Sequence, residues 1–299
     1  MMDRKKLLLL YNPSAGRAQT SRNLDMLLQK FCTGGCETTV YPILDGLNAE
    51  DILAGAESAG YDIVVCCGGD GTLHHTVNGL LRLEQPPLLG YIPSGSTNDF
   101  AASLGLPKTP EDAADAVVNG RPHAIDAGDF GGELFCYVAA FGAFSAVSYE
   151  TPQNMKNAMG HLAYIIEGIQ RLPIGEKYPA RVEFGDQVFE EEFLFCSISN
   201  TTSIGGFSLD KSVEATLDDG EFEVLLIKAP TSVAEANTIV SKLLARDFNN
   251  ELIHLLHADS VTVHFPTPTK WTLDGEYGGT VKEVEIVNHQ RAINIIVPR

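Results

Sequence analysis

Residues 61–73 read Tyr61-Asp62-Ile63-Val64-Val65-Cys66-Cys67-Gly68-Gly69-Asp70-Gly71-Thr72-Leu73, and the chain is organised around them. Ile63 to Cys67 are five consecutive apolar residues, β-branched or small, the composition of a short strand buried on both faces of a parallel sheet. Glycines follow, and then Leu73, Val77, Leu80 and Leu81 at helical spacing. Strand, glycine turn and helix start form an architecture that holds phosphate. Glycine lets the backbone approach a ligand, and the N–H groups of a helix start point at an anion. Asp70 would repel that anion unless a divalent cation lies between them. Nucleotide phosphate plus Mg²⁺, with Asp70 near the metal, is therefore one reading. A tight strand-to-helix turn with a solvated aspartate fits the stretch equally well.

Working outward, Lys6–Tyr11 reads as a first strand and Asn12-Pro13-Ser14-Ala15-Gly16 as the turn after it. Leu24, Leu27, Leu28 and Phe31 share one helical face, and Thr38–Ile43 is a second strand. Leu47–Ala59 reads as a helix, with Asn48 as N-cap and Asp51 three residues on. Leu88–Ile92 is a further strand, running into Pro93-Ser94-Gly95-Ser96-Thr97-Asn98-Asp99 and a helix with Phe100, Ala101 and Leu104. Thr109-Pro110-Glu111-Asp112 combines a capping residue with proline in the first turn. Strands alternating with helices predict an α/β fold: a doubly wound parallel sheet over residues 1–125.

The pattern changes near residue 125. Ala124–Phe130, Leu134–Ala139, Ala180–Phe184, Val188–Ser199 and Phe222–Lys228 read as strands, with Gly185-Asp186 as a two-residue hairpin turn. Residues 126–289 are thus expected to form a second, mostly antiparallel, β-sandwich-like domain. Two helices interrupt it, at about Asn154–Leu172 and Val233–Arg246. The Met155, Met159, Leu162, Ile165, Ile166, Ile169 stripe of the first reads as core.

With 44% hydrophobic and 20% charged residues, the 299-residue chain has globular composition. A formal net charge of −18 argues against nucleic acid as a partner and against simple attraction to anionic lipid. The apolar run Leu7–Tyr11 is too short for a signal peptide, and no stretch approaches a spanning helix, so a cytoplasmic location is expected. Six cysteines in a chain of this length read as free thiols; Cys32 and Cys36 have metal-like spacing but lack a second pair.

Three small-residue turns, Asn12–Gly16, Gly68–Thr72 and Ser94–Asp99, follow strands of the first domain. In a parallel sheet such turns converge on one edge, where ligands bind. In the second domain, Asp274 and Glu276 sit among glycines in Trp271-Thr272-Leu273-Asp274-Gly275-Glu276-Tyr277-Gly278-Gly279, and Leu217-Asp218-Asp219-Gly220-Glu221 is a similar turn. Read alone, both are plain turns.

Gly68-Gly69-Asp70-Gly71-Thr72, Pro93-Ser94-Gly95-Ser96-Thr97-Asn98-Asp99-Phe100, Asp218-Asp219-Gly220 and Asp274-Gly275-Glu276 together resemble the diacylglycerol kinase catalytic domain family. The similarity is to its soluble bacterial lipid kinases, with sphingosine kinases more distant, and it spans nearly the whole chain. The glycine element is shared with NAD kinases and phosphofructokinases; the Pro93–Phe100 element is sharper and points to lipid kinases. The resemblance implies ATP-dependent phosphoryl transfer to a lipid hydroxyl, most simply diacylglycerol, at a site between two domains. It implies nucleotide contacts from Asn12, Pro13, Ser14, Gly16, Gly68, Gly69, Asp70, Gly71, Thr72 and Ser96. It further implies an acidic Mg²⁺ network of Asp70, Asp99 and Asp126, and Glu276 as general base. A structural Mg²⁺ would lie at Asp219 with Thr216 and Glu221. It also implies that a C-terminal strand, Ala292–Val297, packs on the first domain, so that about 290–299 joins it. A peripheral membrane contact is implied, and a homodimer is compatible with the family.

Two departures stand out. Tyr41-Pro42-Ile43-Leu44 lacks a nucleotide-contacting threonine, and His74-His75 replaces an Asn-Glu pair. Neighbours on a helix diverge, so the histidines are expected to be solvated or capping rather than a metal pair. In this lipid-kinase setting, the Met155–Leu172 helix gains a second reading, as the apolar approach for the acceptor. Two alternatives remain in sequence: an NAD kinase-like or other small-molecule kinase, and a nucleotide-regulated lipid-binding protein without catalysis. The full acidic set weighs against the second.

Overall fold

A computed structural model describes residues 4–15, 19–44, 46–95, 98–143, 169, 177–200, 203–204, 207–208 and 217–299. Two units emerge: Met1–Ile125 with Arg291–Arg299, and Asp126–Gln290. Among the described residues no helix is long and apolar enough to cross a membrane.

The first unit contains β1 (Lys5–Tyr11), α1 (Gln19–Thr33), β2 (Cys36–Pro42), α2 (Ala49–Ala56), β3 (Ile63–Gly68), α3 (Asp70–Leu81), β4 (Leu88–Pro93), α4 (Asp99–Ser103) and α5 (Pro110–Asn119). β1 lies parallel to both β2 and β3, and β3 parallel to β4. β4 in turn meets the C-terminal residues in parallel, at Leu89 and Ile295. Alternation explains the burial. Leu7, Leu9, Ile63, Val65 and Cys67 pack with Leu27 and Phe31 of α1 and with Ala113, Ala114 and Val117 of α5. Leu8, Leu10, Val64 and Cys66 face the other way and are equally buried. At about 1.5–3 kcal/mol for each large side chain removed from water, β1 and β3 anchor this unit.

Capping follows the sequence. The Asp51 N–H donates to Asn48 Oδ1 at 2.9 Å, opening α2. The Asp112 N–H donates to Thr109 Oγ1 at 3.2 Å, with Pro110 as the first residue of α5. All six cysteines are free; Cys32 is exposed and the other five are buried. Burial pushes the Cys66 thiol up to about 12 and the Cys67 thiol up to about 11.

The remaining strands are β5 (Arg121–Phe130), which crosses the boundary at Ile125, then β6 (Glu133–Phe135), β7 (Val138–Gly142), β8 (Tyr178–Phe184), β9 (Gln187–Ser199), β10 (Ser203–Ile204), β11 (Phe207–Ser208) and β12 (Phe222–Lys228). After them come α6 (Val233–Ala245), β13 (Ile253–Ala258), β14 (Ser260–Leu273) and β15 (Glu276–Val297). The pairs β5–β6, β7–β9, β8–β9, β9–β12, β12–β13, β7–β14, β8–β14 and β14–β15 are antiparallel. Phe184 pairs with Gln187, so Gly185-Asp186 makes the expected two-residue turn. One core cluster centres on Trp271, whose ring lies 4.9 Å from that of Phe141 and 6.1 Å from that of Phe265. In the other, α6 lays Ala236, Ile239, Val240 and Leu243 on Leu194, Phe195, Leu225 and Ile227.

Several expectations are corrected. Leu134–Ala139 is not one strand, because it breaks between Phe135 and Val138. The C-terminal strand expected at Ala292–Val297 does join the first unit, but as the end of β15, which already begins at Glu276. The sequence reading assigned no strands to β13 and β14. The Asn154–Leu172 helix lies outside the described residues apart from Ile169, which is buried in the α6 cluster.

Candidate active site

In the first unit the three expected turns are joined directly. The Asn12 N–H donates to Cys67 O at 2.9 Å, and the Ser94 N–H donates to Gly68 O at 2.8 Å. Side chains continue the contact, with Asn12 Nδ2 donating to Thr72 Oγ1 at 3.2 Å. The turn after β1 is shaped by Asn12, whose Oδ1 accepts the Ser14 N–H at 2.9 Å. Between the other two turns the backbones touch. A Cβ added to Gly95 would lie 2.6 Å from Gly69 Cα, and one on Gly69 would lie 3.2 Å from Gly95 Cα. No side chain fits between them, which leaves peptide groups as the lining of this edge.

Asp70 is the first residue of α3, with Gly69 as an extended N-cap and no side-chain cap. Its Oδ2 accepts the Asn98 N–H at 3.0 Å, which ties the Gly68–Thr72 turn to the Ser94–Asp99 turn. Beneath them lies Tyr91, 2% exposed. Its hydroxyl is 3.4 Å from Gly68 O and 3.5 Å from Asn98 Oδ1.

The histidine expectation is corrected in part. His74 is neither solvated nor capping: it is buried, its Nε2 3.5 Å from Asn78 Nδ2 one turn on. His75 points elsewhere, its Nδ1 3.0 Å from Glu50 Oε1, and Arg82 meets Glu50 Oε2 at 2.5 Å. Both residues help fasten α3 to α2.

In the second unit, Asp126 is fully buried at the start of its run of β5. Its Oδ2 accepts the Gly220 N–H at 2.7 Å, its own N–H donates to Leu217 O at 2.7 Å, and its carbonyl accepts Asn200 Nδ2 at 3.0 Å. It therefore holds the Leu217–Gly220 turn. Asp219 in that turn is exposed, and its Oδ1 accepts the Glu221 N–H at 3.1 Å. Asp274 and Gly275 both have positive φ, 51° and 88°, as a two-residue hairpin turn between Leu273 and Glu276 requires. The Asp274 carboxylate accepts three backbone N–H groups, from Cys136 at 2.9 Å, Tyr137 at 2.8 Å and Val138 at 3.0 Å. Those bonds are what break the strand expected over 134–139. Glu276, two residues on, is exposed at the start of β15.

Asp70, Asn12, Gly68, Gly69 and Thr72 are thus brought to one edge. Asp126 and Asp219 meet at one turn, and Glu276 stands on another. Gly16, Ser96 and Thr216 lie outside the described residues, as does the side chain of Asp99, the first residue of α4. Sequence reasoning assigned no role to Tyr91, gave Asn98 none beyond the motif, and read Asp274 as part of a plain turn beside Glu276. Among the described residues no three His, Cys, Asp or Glu side chains converge as a metal cluster.

A parallel α/β unit that ends its strands in touching glycine turns, with a carboxylate on the helix behind them, is the build of an enzyme handling nucleotide phosphate. The model of the diacylglycerol kinase catalytic domain matches residues 6–130. A diacylglycerol kinase of Bacillus subtilis (strain 168) is 33% identical over 298 residues, 99% of this chain and 97% of that protein. One of Staphylococcus saprophyticus is also 33% identical, over 99% of this chain and 96% of its own length. A solved structure from Bacillus anthracis str. Sterne superposes with a TM-score of 0.82 at 24% identity, covering 99% of this chain and 96% of that one. Another from the same strain, described as a diacylglycerol kinase, does so at 0.74 and 21% identity, over 99% and 98%. These two likenesses show the mixed α/β fold. The chain belongs to the diacylglycerol kinase family, and it is an ATP-dependent lipid kinase.

Proposed function

We propose that this kinase transfers the γ-phosphoryl group of ATP to the free hydroxyl of diacylglycerol, giving phosphatidic acid. The observation that carries the reading is the joined edge of the first unit: Asp70 held by the Asn98 N–H, above a glycine contact with no room for a side chain. The first unit is read as a doubly wound nucleotide-binding domain, the second as the β-rich domain that receives the lipid. The names of the relatives supply the acceptor.

The residues fit a nucleotide carrying Mg²⁺. Bare peptide groups and the start of a twelve-residue helix suit phosphate. Asp70 is the carboxylate there, joined by Asp99 in the implied acidic set. One or two carboxylates suffice for Mg²⁺, which takes its other ligands from phosphate oxygens and water. When bound, the ion supplies positive charge for the transferring phosphoryl group.

Glu276 is read as the base. The lipid hydroxyl gives its proton to the Glu276 carboxylate as its oxygen bonds to the γ-phosphorus; the bond from that phosphorus to the bridging oxygen breaks, and ADP leaves with the electron pair. Asp274 is unsuited to the task, since its oxygens already accept three backbone N–H groups. Asp126 serves this reading by fixing the Leu217–Gly220 turn, where Asp219, with Thr216 and Glu221, is read as a structural Mg²⁺ site. Access to the lipid is read as a peripheral contact resting on apolar groups, because a net charge of −18 repels anionic bilayers.

The test is transfer of ³²P from labelled ATP to a panel of lipid alcohols, with NAD as a separate acceptor. Label in the phosphatidic acid spot is expected, and Glu276→Gln should lower kcat roughly 10²–10⁴-fold with ATP affinity nearly intact. Label in NADP alone, or a Glu276→Gln enzyme within a few-fold of wild type, overturns the acceptor or the base assignment respectively.

A further inference from the structure

We propose that Asn98 is a positioning residue, setting Asp70 and the two glycine turns in the arrangement that takes Mg²⁺-nucleotide. The inference rests on the reading of the Gly68–Thr72 turn as the nucleotide site and goes beyond it, because Asn98 need touch neither phosphate nor metal.

Four observations converge on this residue. Its backbone is left-handed, φ 53° and ψ 49°, a region that asparagine tolerates and most side chains do not. In that conformation its N–H donates to Asp70 Oδ2 at 3.0 Å. Its side chain then closes back on one residue: Oδ1 accepts the Gly95 N–H at 2.8 Å and Nδ2 donates to Gly95 O at 2.9 Å. Gly95 is the residue whose Cα abuts Gly69, the N-cap of the helix that carries Asp70. A single residue thus grips Asp70 through its main chain and Gly95 of its own turn through its amide. Buried Tyr91 lies underneath, its hydroxyl within 3.5 Å of both Gly68 O and Asn98 Oδ1.

The chemistry restricts what can stand there. Closing on both the N–H and the C=O of one glycine needs a donor and an acceptor on the same short side chain. Aspartate keeps the acceptor, loses the donor and brings a second negative charge towards Asp70. Glycine keeps the left-handed backbone and loses both bonds. The two variants therefore separate the backbone's contribution from the amide's. Groups that orient a metal-binding carboxylate typically matter 10–100-fold in metal affinity when altered.

The experiment is isothermal titration of the full-length protein with ADP, with and without Mg²⁺, alongside thermal melts. In wild type, Mg²⁺ should tighten ADP binding. Asn98→Gly and Asn98→Asp should each lose at least tenfold of that Mg²⁺-dependent gain, Asn98→Asp the more, while metal-free ADP affinity changes much less for Asn98→Gly. A purely structural role would lower the melting temperature and weaken both forms of ADP alike, and that result overturns the proposal. So does an Asn98→Gly protein that keeps the wild-type gain within twofold. Asp70→Asn separates the layers. If it abolishes the gain while Asn98→Gly preserves it, only the positioning role falls; if Asp70→Asn itself leaves the gain untouched, the metal reading falls and this inference with it.

Discussion

The Asp274 carboxylate takes the Tyr137 N–H at 2.8 Å across 137 positions of sequence, and the N–H groups on either side of Tyr137 point at the same side chain. The return bond, Asp274 N–H to Val138 O at 2.8 Å, makes the contact reciprocal. A turn carrying an exposed glutamate is thereby fixed to the strand pair beside it.

Removing that carboxylate should cost stability. Asp274→Ala leaves three part-buried backbone donors without their acceptor, at about 1–3 kcal/mol each when no water replaces it. Allowing for partial rehydration, a loss on the order of 3 kcal/mol is expected in denaturant unfolding. Asp274→Asn, which retains one oxygen, should lose less. A fall below about 0.5 kcal/mol for Asp274→Ala would remove the structural role and reopen its candidacy as base.

Asp126 should govern a local opening. With its Oδ2 on the Gly220 N–H and its main chain on Leu217 and Asn200, Asp126→Ala should speed hydrogen exchange over residues 217–221 by tenfold or more. Exchange by mass spectrometry reads this directly. Unchanged protection would mean that the turn is held by other contacts.

His254 should make stability pH-dependent. Burial holds its folded-state value below the ordinary 6.5, and the nearby Lys228 ammonium adds to the effect while Glu191 opposes it. Between the folded value and 6.5 the unfolded chain binds more protons. Stability from this group is therefore full above 6.5 and declines as pH falls below it. Melting curves from pH 7.5 down to pH 5 should show a smaller decline for His254→Gln than for wild type. Parallel declines would assign the acid sensitivity to other groups.

Much of the first unit could be read because its signals are local. A doubly buried strand shows as an unbroken apolar run, and Asn48 and Thr109 announce their helices by capping them within three residues. The convergence of the three turns was legible for the same reason, since parallel strands deliver their C-terminal loops to one edge. What escaped was set by distant partners. Nothing near Leu134–Ala139 says that the strand must break; the cause is Asp274. β14 hides behind Pro266 and Pro268, where its register with β15 shifts between His264 and Thr269. His74 looked like a surface residue by type, yet Asn78 one turn away gives it a partner in the interior.

The buried cysteines have a practical consequence. With Cys32 exposed and the other five buried, a maleimide at neutral pH should find one addressable thiol on the folded protein. A dye on α1 would thus be a single-site label without mutagenesis. Any second modification would report that the fold had opened, and Cys66 and Cys67, inside β3 immediately before Gly68, would time the opening of the strand that leads into the glycine turn.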